Sequence, residues 1–431
     1  MTLAGCATSP HDRAWVSREL QSVAAPLGPE SSETASLPPG IAEAGHLDES
    51  AAVAIALWNS AALQADLAQL GVSRADLAEA GALPNPTFSL LMPVGPRTIE
   101  LSLLMPLFFL WQRPARVAAA KLQVEQVARG LVQNGLDLAR DVRVAHAEWV
   151  LAEGRREARE QLSLLWGRTA ELVDARFAAG DASQVEAAAI RAEALTAVDN
   201  ASRARTDAML AWQRLRLLMG VAQSPLLENA SPRVGPWETR PPRPLEQLLP
   251  LALAARPDVR AAELGLEGAG QRVGWEKERI VNLLARLDAK PTTTASGNTS
   301  LWVPGAQLEL PLFNRNQAGV DRAEAELSRA SARYLLLRQQ VANEVITARA
   351  QLLQASQSLQ AFQTHILPAL TAASEGALKA FEAGELPYLQ VLEALRRLTD
   401  ARLRALDLEA DFRRALAQLD RGLGRQGAAH E

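Results

Sequence analysis

One helical pattern runs without a stop from about Pro114 to Phe177. At 1.5 Å per residue its 64 residues span about 96 Å, more than the diameter of an ordinary globular domain. Leu131, Leu138, Val142, Ala145 and Trp149 follow at steps of seven, four, three and four, one stripe of a packed helix. Gly180-Asp181 supplies a turn. A second helix is predicted from about Ala182 to Met219, with Gly220 as its C-terminal stop. Long helices of this kind pack closely over small side chains. The composition suits that: 48% of the 431 residues are hydrophobic, only 4% are aromatic, and Ala and Leu dominate the apolar set.

The pattern then repeats. Residues 221–244 carry Pro225, Pro232, Pro236, Pro241, Pro242 and Pro244 and read as a connector. A helix is expected from Glu246 to about Glu278, and a long one from about Gln317 to Glu382. The latter has a stripe of Val341, Val345, Ala348, Leu352, Ala355, Leu359, Phe362 and Ile366, at coiled-coil steps of four and three. Pro368 should kink it, Gly384 should turn it, and a helix should return from Leu386 to about Leu423. Met105-Pro106-Leu107-Phe108 matches Leu310-Pro311-Leu312-Phe313 at an offset of 205. Arg176-Phe177-Ala178-Ala179-Gly180 matches Ala380-Phe381-Glu382-Ala383-Gly384 at 204, and Asn85 precedes Asn282 by 197. Two units this long are a duplicated module rather than a solenoid of short repeats.

Each half also holds two short strand-like segments. Thr87 to Met92 is one. In Arg97 to Met105, Ile99, Leu101 and Leu103 alternate with Thr98, Glu100 and Ser102, a period of two. Pro93-Val94-Gly95-Pro96 reads as the turn between them. The second half offers Leu283–Lys290 and Ala306–Leu310, where Leu308 and Leu310 alternate with Gln307 and Glu309. Four strands cannot close a transmembrane barrel, since the smallest have eight, and open edges are not tolerated in lipid. Three chains would supply twelve. The expected fold class is mainly α with a small β part: a duplicated helix–hairpin–helix–helix module, building a long α-helical barrel plus four strands per chain of a 12-stranded trimeric transmembrane β-barrel.

The chain ends read differently. Residues 7–47 contain Pro10, Pro26, Pro29, Pro38 and Pro39 without a sustained helical period, a tether. Asp48 is the expected N-cap of a helix from Glu49 to about Ala82, stopped by Leu83-Pro84-Asn85-Pro86. The expected organisation is 1–47 lipobox and tether, 48–220 first repeat, 221–244 connector, 245–424 second repeat and 425–431 tail. The single cysteine excludes an internal disulfide framework and any multi-cysteine metal site. It lies in Leu3-Ala4-Gly5-Cys6, which resembles a bacterial lipobox with Cys6 as the lipid-bearing residue. A signal peptide's charged and apolar regions do not precede it, so either the recorded start lies too far downstream or the match is chance.

A net charge of −4 gives no electrostatic case for nucleic acid as a partner. His146 on a helix face reads as a packed or surface histidine, and no His, Cys or Met cluster has metal-ligand spacing. Glu153 to Glu160, with Arg155, Arg156 and Arg159, reads as a solvated face. Gly265, Gly268 and Gly270 follow a helix and are not a dinucleotide loop. With no nucleophile–base pair and no phosphate loop, an enzyme is not expected, nor is a cofactor. A soluble elongated coiled-coil scaffold, its alternating segments being loops, is the alternative class.

In order and duplication, the motifs resemble the outer-membrane efflux protein family, the TolC-like channel subunits. They are Leu83-Pro84-Asn85-Pro86, Phe177-Ala178-Ala179-Gly180, Arg256-Pro257-Asp258-Val259-Arg260-Ala261-Ala262-Glu263, Leu310-Pro311-Leu312-Phe313-Asn314-Arg315-Asn316-Gln317 and Phe381-Glu382-Ala383-Gly384 followed by Val391-Leu392-Glu393-Ala394. The resemblance covers about Asp48 to Leu423. The string from Leu310 to Gln317 is most similar to the branch serving heavy-metal efflux pumps. The resemblance implies a homotrimer in the outer membrane with a large periplasmic part, acting as a passive gated duct. Its implied partners are a periplasmic adaptor and an inner-membrane resistance-nodulation-division type pump. It also implies a pore constriction after the glycine turns at Gly180 and Gly384. Glu186 and Glu393 keep the acidic character expected there, whereas Gln390 departs from it.

Overall fold

The computed structural model describes residues 8–21, 25–29, 34–41, 45–92, 100–234, 242–294, 297–383, 385–386 and 388–424. Side chains are not described for 290–300, 381, 382 and 388. Cys6, Gly384, the turn Pro93–Pro96, part of the connector and the tail from 425 lie outside the described residues.

The element order is α1 (Arg13–Gln21), β1 (His46–Leu47), α2 (Glu49–Asn59), α3 (Ala61–Gly81), β2 (Thr87–Leu91), β3 (Glu100–Pro106), α4 (Phe108–Ala178), α5 (Gln184–Leu218), β4 (Ser231–Pro232), α6 (Leu245–Ala255), α7 (Pro257–Glu278), β5 (Asn282–Thr294), β6 (Gly297–Glu309), α8 (Gln317–Ala361), a π-helix (Phe362–Ile366), α9 (Leu367–Glu382) and α10 (Tyr388–Leu423). Two compact units each draw on both halves of the sequence. The first comprises Met1–Val16, Ala65–Leu131 and Pro257–Gln339; the second comprises Ser17–Gln64, Val132–Arg256 and Gln340–Glu431. Among the described residues no single helix is long and apolar enough to cross a membrane.

The duplication extends to the details of chain reversal. At the end of α4, Gly180 takes φ +85° and the Asp181 amide donates to the Arg176 carbonyl at 2.8 Å. This six-to-one bond is the Schellman closure, which needs a left-handed residue that glycine adopts without a Cβ clash. At an offset of 204 the Glu385 amide donates to the Ala380 carbonyl, also at 2.8 Å. Gly220 and Gly424 repeat the pairing, with φ +72° and +70°. The helix breaks are duplicated too. α2 and α3 part at Ser60, and α6 and α7 part at Arg256, just before Pro257, a residue suited to the first helical position. The sequence reading expected one helix across each break.

Three further expectations are corrected. Residues 13–21 of the predicted tether form α1, whose Val16 and Leu20 are buried. Leu20 lies against Gly135, where a Cβ would meet its side chain at 2.4 Å. α4 starts at Phe108 rather than Pro114, with Pro114 inside its first two turns. In α8, Val341 to Leu359 of the predicted stripe are buried, but Ile366 is exposed. The cause is the π-helix. The Leu367 amide bonds back to Phe362, and the extra residue in that turn moves the packed stripe off Ile366 and onto half-buried Leu367 and Leu370 and buried Ser374.

The second unit has a well-packed interior. Trp149 is 1% exposed and stacks on Trp212 with ring centroids 4.4 Å apart. Arg256 is buried and bonds Glu344 at 2.6 Å, and Glu344 is shared with Arg421, which also holds Asp137 at 2.7 Å. β1 and β4 form a two-residue parallel pair, with the Arg233 amide donating to the Leu47 carbonyl. Buried His146 meets that same carbonyl through Nε2 at 3.1 Å, so Nε2 carries the proton. Burial lowers the His146 pKa below its ordinary value of 6.5, partly opposed by that hydrogen bond. In the window below 6.5 the unfolded chain therefore binds more protons than the folded one, and stability falls as pH falls. His146→Leu is expected to flatten this loss of melting temperature in acid. At neutral pH it should cost about 0.5–1.5 kcal/mol for one hydrogen bond. An unchanged acid slope in the variant would assign the loss to other groups.

Candidate functional site

The first candidate is the sheet of the first unit, antiparallel throughout in the order β2-β3-β5-β6. Register places Phe88 opposite Leu103, Leu103 opposite Leu287, and Ala289 opposite Trp302. Because side chains alternate between faces, one face carries Phe88, Leu90, Leu103, Met105, Trp302 and Leu308, exposed by 40–64%. So large an uncovered apolar surface on a water-soluble monomer would be a liability.

The other face is mixed, with polar groups bonded to one another. Ser102 lies opposite Asp288 and donates to its Oδ1 at 2.7 Å, and the Arg286 Nε donates to the same oxygen at 2.8 Å. Asn282 donates to Glu309 across the β5–β6 pair at 2.7 Å. Leu101 and Leu103 share a face as their alternation predicted, and Ser102 takes the other. The sheet also rejects the scaffold alternative, since the alternating segments are hydrogen-bonded strands. β5 and β6 each run 13 residues, well beyond the segments predicted from alternation. Arg286 and Asp288 were not singled out by the sequence reading. Their spacing of two on an otherwise apolar strand was the available signal.

The second candidate is the region around the α4–α5 and α9–α10 turns in the second unit. Ser183 caps α5, its Oγ accepting from the Glu186 amide at 3.1 Å. Glu186 thus occupies the third helical position of a Ser-x-x-Glu capping pattern, in the first turn, where a carboxylate complements the helix dipole. It is exposed. Gln390 and Glu393 are exposed on the first turns of α10, and Glu393 bonds Arg397 one turn on at 2.9 Å. These two line a groove of ≈ 670 Å³ together with Glu193, Leu389, Trp166 and Leu370. The structure therefore brings Gln390 and Glu393 together, adds Glu193, and leaves Glu186 outside that lining. Of the small residues beside Glu186, only Ala187 is packed. It sits in a cluster with Trp166, Val173, Ile190, Ala197 and Leu392, whereas Ala188 and Ala189 are exposed. Among the described residues no group of three His, Cys, Asp or Glu is placed to hold a metal ion.

The chain matches known proteins along most of its length. The model of the outer membrane efflux protein family matches residues 248–425. The cobalt-zinc-cadmium resistance protein CzcC of Cupriavidus metallidurans is 30% identical over 350 residues, covering 80% of this chain and 82% of that protein. The cation efflux system protein CusC of Escherichia coli K12 is 29% identical over 164 residues, covering 36% of each chain. Among solved structures, the Campylobacter jejuni CmeC outer membrane channel superposes with a TM-score of 0.75 at 15% identity, over 87% of this chain and 85% of that one.

Proposed function

The chain belongs to the outer membrane efflux protein family, and on that premise we propose that it is the outer-membrane duct of a tripartite efflux system for divalent heavy-metal cations. The observation that carries the duct is the two-faced sheet, apolar and uncovered on one side and mixed on the other, where its polar groups bond one another. Such a sheet suits lipid outside and water within. The substrate class rests on the relative CzcC, whose name specifies cobalt, zinc and cadmium resistance. In this reading three chains close one barrel, and the duct is passive and has no catalytic residue. An inner-membrane pump of the resistance-nodulation-division type supplies the energy, and a periplasmic adaptor links pump and duct. Cys6 is the proposed lipid attachment point, and Gly180 and Gly384 mark the periplasmic turns.

Deleting the gene from a strain that keeps the pump should raise its sensitivity to cobalt, zinc or cadmium, with restoration by the intact gene. Unaltered tolerance to all three would discard the substrate class. Conductance across planar bilayers tests the duct itself.

For the constriction we propose Glu186, Gln390 and Glu393. Three chains triple each charge around a narrow axis, which favours cations. The Arg397 partner of Glu393 is itself exposed and screened by solvent, so it offsets that carboxylate only weakly. Replacing Glu186 and Glu393 together with Gln should preserve folding, since Gln also serves in the capping pattern. It should reduce cation preference and block by multivalent cations in single-channel recordings. Wild-type selectivity and block at low salt, where screening is weakest, would rule the two carboxylates out of the pore.

A further inference from the structure

We propose that the first unit binds a phosphate-class anion in a cleft between α3, α4, α7 and α8. The cleft has a volume of ≈ 820 Å³ and a floor of alanine and glycine, including Ala119, Ala120 and Gly268. Two hydrogen-bond donors among its lining residues are buried without an acceptor among the described residues: Nη1 of Arg116 and Nε1 of Trp275. Buried donors ordinarily have partners, and two unpaired ones in one cleft point to an acceptor arriving from outside the chain. Exposed Arg272, Arg329 and Arg333 also line it. Arg272 is taken up by Glu326 at 2.8 Å, whereas Arg329 and Arg333 have no carboxylate partner among the described residues. Against the four arginines stand two lining carboxylates, Asp76 and Glu326, so the cleft is net cationic.

The chemistry of the donors selects the ligand. A guanidinium presents parallel N–H groups in a fork that matches two oxygens of a phosphate. The small-residue floor leaves room for a tetrahedral group, and the indole N–H adds a neutral donor. A cation exported through the duct gains nothing from such a cleft, so this site is separate from the constriction.

Position narrows the source. Arg116 is eight residues into α4, about 12 Å along the helix from Phe108, and β3 ends at Pro106. Trp275 lies one turn before the end of α7, which leads into β5. Arg116 and Trp275 therefore mark the end of the cleft nearest the strands, and its lining runs from there to Arg329 and Arg333, 12 and 16 residues into α8. At the strand end a phosphodiester headgroup of the adjoining lipid leaflet is in reach, as is free phosphate in the surrounding water.

The test uses the full-length protein purified in detergent at low salt, with calorimetric titration of two probes. These are dioctanoyl phosphatidylglycerol and inorganic phosphate, with dioctanoylglycerol as the phosphate-free control. Both phosphate-bearing probes should bind and compete, and the control should not. A phosphatidylglycerol affinity at least about tenfold above that of phosphate identifies the headgroup as the occupant, and similar affinities identify the free anion. Arg329→Gln with Arg333→Gln, both exposed and without effect on the helix interior, should weaken binding by about tenfold or more. Arg116→Gln should do the same, and a folding defect in that variant alone leaves the exposed pair as the deciding measurement. Binding of neither probe, or equal affinity in the exposed double variant and the parent protein, overturns the proposal.

Discussion

Leu103→Arg is expected to stop the protein from assembling in the membrane, while Val303→Arg in the same sheet is tolerated. The two positions lie on opposite faces. Leu103 stands among Phe88, Leu287 and Pro304 on the uncovered apolar face. Val303 pairs with Asp288 on the opposite, mixed face, where an arginine meets a carboxylate. An arginine on the lipid face of a barrel costs about 2–4 kcal/mol near the bilayer centre and nearly nothing in a water-filled lumen. A barrel of three chains carries the penalty three times, of order 10 kcal/mol, which is comparable to the stability of a whole domain. The measurement is the amount of each variant in washed outer membranes. Equal recovery of both variants would mean that the apolar face is not a lipid face.

The protein extracted in detergent is expected to have the mass of three chains. In the sheet order, β2 and β6 are the outer strands, and each presents one unpaired edge. In hydrocarbon every exposed backbone amide or carbonyl must find a partner or cost several kcal/mol. Only closure removes an edge of that length. Single-chain barrels begin at eight strands, so four from one chain close only with partners, and three chains give the even number twelve. Light scattering or native mass measurement decides the matter. A stable monomer with its full strand content would remove the physical basis of the barrel.

The features most legible in the sequence were those set by periodicity over many residues. The buried stripe from Val341 to Leu359 and the alternation of Leu101, Ser102 and Leu103 stand as the spacing predicted. Features decided by a single backbone bond were not. The break at Ser60 has no proline or glycine to announce it, and the π-helix follows from one hydrogen bond reaching five residues back. Two-residue pairing between β1 and β4 is too short for any periodicity to register. The lengths of β5 and β6 were missed because Thr292, Thr293 and Thr294 give no apolar alternation, although their β-branched chains favour a strand. At the candidate constriction the sequence supplied Gln390 and Glu393, but Glu193 joins them only through the packing of α5 beside α10.

The π-helix has a consequence for symmetry. In the proposed three-chain assembly the duplicated chain would approximate a sixfold ring, because each chain contributes two helical pairs closed by the same six-to-one bond. One member of each pair differs. α4 is α-helical throughout its 71 residues, whereas its counterpart is divided by the π turn into α8 and α9. The inserted residue rotates everything beyond it by about 100° relative to an uninterrupted helix. The proposed ring would thus be sixfold only to low resolution, with two kinds of surface alternating around it. A ring of six identical binding modules would have to adopt two poses on it, or occupy one class of position before the other.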